Sequence, residues 1–239
     1  MLDTSTPNIA RAYDYLLGGG ASFAADRALA ARLQNLYPRT ADLLLSSRTH
    51  LADSVTYVSH AGVDQYLDVG SGLPTRPNTH ETARRRRPHA RVVYVDRDPA
   101  VIGHGNSLVP TGVRFLEGDL AEPEALLGAL PGLIDLSRPA CLVLTMILQV
   151  LDPGTARAVA GVLVRALAPG SYLVLSVGAG ESGRLPDAVS PAGFTPADVT
   201  SFFAGLDLVP PGIREGEILC GLAHKAPPAS PRKPHPPHG

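Results

Sequence analysis

Two cysteines in 239 residues, Cys141 and Cys220, leave little for a disulfide framework. Each falls inside an apolar run of strand type, where a reduced thiol packs as a small hydrophobe. No apolar run approaches the ~20 residues of a membrane span, and the N-terminus has no basic-then-apolar leader. A net charge of −1 removes the electrostatic case for nucleic acid or an anionic membrane. Lysine is scarce too: Lys225 and Lys233 are the only two among 21 basic residues, which reads as a GC-rich coding bias and not as a binding property. What is present, 44% hydrophobic and 18% charged residues, is the balance of a globular domain. At this length an α/β fold stays single with a sizeable core. The expected location is the cytoplasm, and the expected state a monomer or homodimer.

Punctuation along the chain predicts alternating elements. Thr6 as N-cap, Pro7 at the first helical position and the stop at Gly18-Gly19-Gly20 frame a first helix. Its apolar stripe is Ile9, Ala12, Tyr13, Leu16 and Leu17, which leaves Asn8, Arg11, Asp14 and Tyr15 on the surface, with Arg11 and Asp14 spaced as an ion pair. Further helices are predicted from Phe23 to about Leu36 and from Thr40 to about His60. Residues 1–62 thus form a helical cap, part of the same domain as a core over 63–225. In the core, strands Val63–Val69, Arg91–Val95, Val113–Glu117, Ala140–Met146 and Ser171–Val177 alternate with helices, two of them announced by Asp98-Pro99 and Asp152-Pro153. A loop rich in Gly and Pro runs from Gly178 to Gly193. A helix opened by Thr195-Pro196 follows, and then a strand pair at about Leu206–Val209 and Glu217–Ala223. The pattern implies a doubly wound, mostly parallel sheet. Arg84–Arg87 reads as a solvated helix end. The segment 226–239 is Pro-rich and expected to be disordered. His224, His235 and His238 lie in or near it with proline spacing that gives no preset geometry, so no metal is expected.

Chemistry concentrates at the strand ends. Leu67-Asp68-Val69-Gly70-Ser71-Gly72 is an apolar run ending in an acid and two glycines, the turn at which a backbone passes close to a nucleoside. The next strand ends in Asp96-Arg97, where a carboxylate can accept both ribose hydroxyls. Gly118-Asp119-Leu120 follows the third strand, placed for the adenine amino group and a backbone N–H beside it. A dinucleotide fingerprint needs a third glycine where Thr75 stands, after Pro74, and a phosphate loop needs Gly-Lys-Ser/Thr, which is absent. Asp68 would repel a phosphate but accept an ammonium group. A ligand with a ribose, an amino-acid head and no phosphate fits: S-adenosylmethionine. Asp68, Gly70, Ser71, Gly72, Thr75, Asp96, Arg97, Asp119, Leu120 and Thr145 are therefore the expected cofactor residues. Tyr15, Met146 and Gln149 are assigned to the substrate pocket. Candidates for a base are Asp14, Tyr13 and His80, with Tyr13 also suited to packing and His80 to a structural part.

Three segments resemble one family. They are Pro7-Asn8-Ile9-Ala10-Arg11-Ala12-Tyr13-Asp14-Tyr15-Leu16-Leu17-Gly18-Gly19, the turn Leu67–Thr75 with Asn78, His80 and Glu81, and Ala90–Ala100 with Val101 and His104. The likeness is to the actinobacterial S-adenosylmethionine-dependent methyltransferases labelled DUF574, now Methyltransf_19. It implies a class I, Rossmann-like seven-stranded sheet with the last strand inserted antiparallel, helices over the cofactor, and methyl transfer. Two places depart from the family: Gly20-Ala21-Ser22 stands where Lys-Asp-Asn is usual, and Thr145-Met146-Ile147-Leu148-Gln149 lacks the usual His. The leading expectation is a methyltransferase for a small molecule, a secondary metabolite. A cofactor-binding protein with non-methylating chemistry (cyclisation or rearrangement), or with a purely binding role, is the alternative. A nicotinamide-dependent reductase is disfavoured by Thr75.

Overall fold

Strand β1 (Gln65–Val69) is buried at every position, which requires layers on both of its faces. The computed structural model describes residues 3–75, 77–179, 193–216 and 218–227. In it β1 lies between two parallel neighbours, β2 (Arg91–Asp96) and β4 (Cys141–Thr145). β3 (Val113–Glu117) extends the sheet beyond β2, and β5 (Tyr172–Gly178) beyond β4. The order is β3-β2-β1-β4-β5-β7-β6, with β7 (Ile218–His224) antiparallel to both β5 and β6 (Asp207–Leu208). This is the expected doubly wound, mostly parallel, Rossmann-like α/β sheet with an antiparallel hairpin at one edge.

Period-two alternation sorts the core into two layers. Leu67, Val69, Val93, Val95, Leu142 and Leu144 share one cluster with side chains of α6 (Pro123–Gly128), α7 (Pro153–Ala166) and α8 (Pro196–Phe202). Tyr66, Val92, Tyr94, Phe115, Cys141 and Val143 share the other with α3 (Thr40–His60), α4 (Thr79–Arg84) and α5 (Pro99–Leu108). Both cysteines are buried and free. The helices α1 (Ile9–Leu16) and α2 (Ala24–Leu36) pack on one another and on α3. No helix of the described residues is long and apolar enough to cross a membrane.

Caps follow the sequence at Asp98, Asp152 and Thr195, each accepting backbone N–H groups of the helix it opens. The first helix differs. Asn8, not Thr6, is its N-cap and accepts from the Arg11 N–H, because the Asn8 N–H is itself held by Asp26 at 2.8 Å. Its polar face is not on the surface either: Arg11 and Asp14 are both 6% exposed. They form no ion pair with each other, since α1 is sandwiched and each finds a partner on a different neighbour. Helix α4 stops at Arg84, whose guanidinium donates to the carbonyls of Ala90 and Thr111, and Arg87 donates to Ser59. The arginine run is thus tied to loops as well as solvated. A 3-10 turn at Leu148–Val150 has no forerunner in the pattern. The expectations for 180–192 and for most of the tail, with His235 and His238, lie outside the described residues. His224 packs beside Tyr172, with ring centroids 4.8 Å apart and the planes tilted by 44°.

Candidate active site

The strand order reverses between β1 and β4, and in such sheets the crevice outside the carboxyl ends at that point is where ligands bind. A cavity of about 560 Å³ lies there. The loops after β1, β2, β3 and β4 form its floor, and α1 and α3 its roof.

At one end the polar groups belong to strand tips. Gly70 and Gly72 both have positive φ, +68° and +62°, which glycine adopts without strain. A Cβ on Gly70 would fall 2.1 Å from Ile147, so the bare backbone there admits the loop after β4. At Gly72 the space is open, with only the Ala10 Cβ at 4.0 Å. The Gly72 N–H donates to Asp96 Oδ2 at 2.9 Å, and the Asp98 N–H to Asp96 Oδ1 at 3.0 Å. Burial raises the Asp96 pKa and these two N–H groups oppose the rise. Asp119 lines the cavity with Oδ1 accepting from the Ala121 N–H at 2.8 Å, and Leu120 packs next to it. Arg97 stands exposed at the rim.

The roof is fastened by side chains. Asp26 accepts Arg11 Nε at 2.7 Å, the Phe23 N–H at 2.8 Å and the Asn8 N–H. Burial works against its ionisation, but Arg11 and the backbone donors more than offset this and hold the carboxyl below its usual range. Asn8 Nδ2 donates to Asp98 Oδ2, which joins the start of α1 to the cap of α5. Thr75 donates to Asp14 Oδ1 at 2.8 Å, which joins α1 to the exit of the glycine turn. The Ala21 N–H takes the other Asp14 oxygen at 3.1 Å. A Cβ on Gly19 would lie 2.1 Å from that carboxylate, so the glycine run after α1 leaves room for it.

The opposite end is apolar, with Leu17, Leu29, Leu44, Met146 and Val150 around Tyr13 and Gln149. Thr145 closes β4 beside them. Met146 takes a left-handed φ of +55°, a strained setting for a side chain of its kind, while its N–H stays bonded to Ser176 at 2.8 Å. Burial pushes the Tyr13 hydroxyl up to about 12, with a bond from Gln149 opposing.

Most sequence-predicted site residues meet in this one cavity: Tyr13, Asp14, Gly70, Ser71, Gly72, Thr75, Asp96, Arg97, Asp119, Leu120, Thr145, Met146 and Gln149. Three do not. Asp68, expected to meet an ammonium group, is buried behind the turn and accepts Thr79 Oγ1 at 2.6 Å. Burial raises its pKa to about 6, against the pull of Thr79 and Arg48. His80, a candidate base, is buried against Tyr94 with Nδ1 2.8 Å from the hydroxyl, and burial lowers its pKa. Tyr15, expected in the substrate pocket, is 42% exposed and lines no part of the cavity. The successive residues of a helix point in different directions, and only Tyr13 and Asp14 of the trio face inward. Of the three candidate bases, Tyr13 keeps its own proton, Asp14 accepts one hydrogen bond on each oxygen, and His80 lies outside the cavity. Arg48 and Asn8 were missed as site residues. Arg48 sits in mid-helix with nothing local to mark it, and Asn8 gains its part only from Asp98, 90 residues on.

A family model described as S-adenosyl methyltransferase matches residues 1–218. Among solved structures, a candidate methyltransferase from Thermobifida fusca YX is 34% identical, with a TM-score of 0.88 over 94% of this chain and 97% of that one. A DUF574 family protein from Streptomyces avermitilis MA-4680 is 30% identical, with a TM-score of 0.87 over 93% and 99%. The N-methyltransferase NodS from Bradyrhizobium japonicum WM9, solved with S-adenosyl-L-homocysteine, shares the fold at 16% identity and a TM-score of 0.54 over 83% and 96%. No curated protein matches the chain.

Proposed function

The chain belongs to the S-adenosyl methyltransferase family, an enzyme family using S-adenosylmethionine, and from that premise we propose that it methylates a small molecule, with secondary metabolites the first class to test. When bound, the cofactor supplies a sulfonium methyl open to in-line displacement. The residues present suit it. Asp96 offers carboxylate lone pairs beyond its two backbone bonds for the ribose hydroxyls. Asp119 with the adjoining backbone serves the adenine, and the open space at Gly72 lets the nucleoside lie against the turn. The methyl acceptor then belongs at the apolar end. There Leu17, Leu44, Met146 and Val150 exclude water, and Tyr13 and Gln149 orient a hydroxyl, amine or carbon nucleophile through its polar edge. Tyr13 acts as a hydrogen-bond donor and not as a base, because burial keeps its proton on at neutral pH.

The observation that carries this reading is the composition of one cavity: carboxylates on successive parallel strands at one end, an apolar wall with a single phenol–amide pair at the other. Its size suits a cofactor and a small partner, and a net charge of −1 offers no attraction for nucleic acid. The test is incubation with S-adenosylmethionine and panels of small aromatic and aliphatic alcohols and amines, peptides and RNA, followed by mass spectrometry. Release of S-adenosylhomocysteine with a small acceptor is the expected result. Release only with peptide or RNA would overturn the substrate class, and turnover of an acceptor without that release would favour cyclisation or rearrangement.

A further inference from the structure

Thr75 stands between two opposite charges. On its side chain is Asp14 of α1, 2.8 Å away; on its carbonyl is Nη2 of Arg48 from α3, which also donates to the carbonyl of Pro77. Both charged residues line the cavity beside Ser71 and Gly72. Arg48 keeps an unmet need: its Nε is buried with no hydrogen-bond partner among the described residues. Asp68 is close enough to act on it through space but spends an oxygen on Thr79. Asp14 has accepted two hydrogen bonds of the roughly four its carboxylate can take. The other cavity acids, Asp96, Asp98 and Asp119, lie toward the nucleoside end, so a ligand carboxylate would be repelled there and attracted only beside an arginine. Arg97 is at the exposed rim next to Asp96, and Arg48 is at the turn.

We infer that Arg48 and Asp14 form a clamp for the zwitterionic amino-acid head of the cofactor, Arg48 taking the carboxylate and Asp14 the ammonium. This rests on the cofactor placement proposed above. It moves the ammonium contact from Asp68, which is walled off behind the turn, to an acid that faces the cavity. It also gives the N-terminal roof a chemical reason to close. Asp14 comes from α1 and Arg48 from α3, so the head ties the cap to the core at the joint that Thr75 already bridges.

Calorimetric titration with three ligands separates the parts: S-adenosylmethionine, its decarboxylated analogue, and 5′-methylthioadenosine, which lacks the head altogether. The wild type should bind the first about 10- to 100-fold tighter than the second. Arg48→Gln should erase that preference while leaving methylthioadenosine binding within about 3-fold. Arg48→Lys, which keeps the charge but not the fork, should fall between, and it decides the matter if the glutamine variant does not fold. Asp14→Asn should weaken both head-bearing ligands and spare methylthioadenosine. If Arg48→Gln weakens all three ligands alike, Arg48 merely ties α3 to the turn and the clamp is wrong. If the wild type binds methylthioadenosine as tightly as the sulfonium cofactor, the clamp falls and the nucleoside placement stands. If it binds none of the three, both fall.

Discussion

At the end of the cavity proposed for the nucleoside, Asp96 closes β2, Asp119 follows β3 and the Gly72 N–H follows β1. At the acceptor end the wall is assembled from parts remote in sequence, with Tyr13 from α1, Leu44 from α3, and Met146 and Gln149 from the loop after β4. The first end rests on a hydrogen-bonded sheet whose geometry is common to doubly wound folds. The second rests on a helical roof held by Asp26, Asn8 and Asp14. In the placement proposed above, the constant ligand meets the rigid framework and the variable one a fastened lid. A sheet tip can change little without breaking strand pairing, whereas a helix face can be rebuilt residue by residue.

The largest way to break that comparison is to unfasten the lid. Asp26→Ala strands Arg11, whose side chain is 7% exposed, and frees the N–H groups of Asn8 and Phe23. Loss of a buried partner of this kind costs about 3–5 kcal/mol. Urea unfolding should show it, and an unchanged midpoint would mean that the roof is not fastened there. Replacing Arg11 and Asp26 together by apolar residues of similar size should recover much of the loss.

Next in size is a pH effect beneath the nucleoside end. The folded Asp68 carboxyl holds its proton to about pH 6, against a usual value of 3.8. Between those values the folded state binds more protons than the unfolded one, so this group's contribution to stability falls as pH rises through the window. The full span is worth up to about 3 kcal/mol. His50, buried with Nε2 bonded to the Gly221 carbonyl and Nδ1 facing Arg214 and Ser54, runs the other way. Burial, then Arg214, lowers its pKa to about 4 from 6.5, so its contribution is lost as pH falls through that range. The two slopes therefore oppose each other in wild type where the windows overlap. Asp68→Asn should remove the falling slope, so that stability rises more steeply from pH 4 to 6.5 than in wild type, and parallel curves for the two proteins would refute the assignment.

Smaller still, and confined to ligands, are changes at the two ends. Asp96→Ala should weaken S-adenosylhomocysteine by about 100-fold, the worth of charge-assisted bonds to two hydroxyls. Calorimetry checks this, and a change below a few-fold would place the ribose elsewhere. Gln149→Leu, at the acceptor end, should leave that affinity within about 2-fold and raise the acceptor KM by about 5- to 10-fold, one hydrogen bond's worth. If it instead weakened the cofactor, the two ends would not be separate.

How much of this was legible before folding differs between the ends. Strand tips, glycine turns and Asp-Pro caps are short-range features: alternation has a period of two and a cap reaches three residues. Hence the sheet, the glycine turn, Asp96 and Asp119 could be read directly. The first helix shows the limit. Its stripe correctly gave Ala12 and Tyr13 an inward face, but the polar side that should have been wet is covered, because α2 and the glycine turn pack onto it. The charge on Asp68 looked available to a ligand, and only the position of Thr79 behind the turn removes it.

The sequence by itself determined a doubly wound fold, a glycine turn at the end of its first strand, and the carboxylates at the tips of the next two, because those depend on local backbone rules and on the face a side chain takes in a strand. Tertiary structure alone decided the rest. The contacts Asn8–Asp98, Thr75–Asp14 and Arg48–Thr75 join residues 90, 61 and 27 apart. At such separations no periodicity links partners, and which charges face a cavity is set by how helices dock on the sheet.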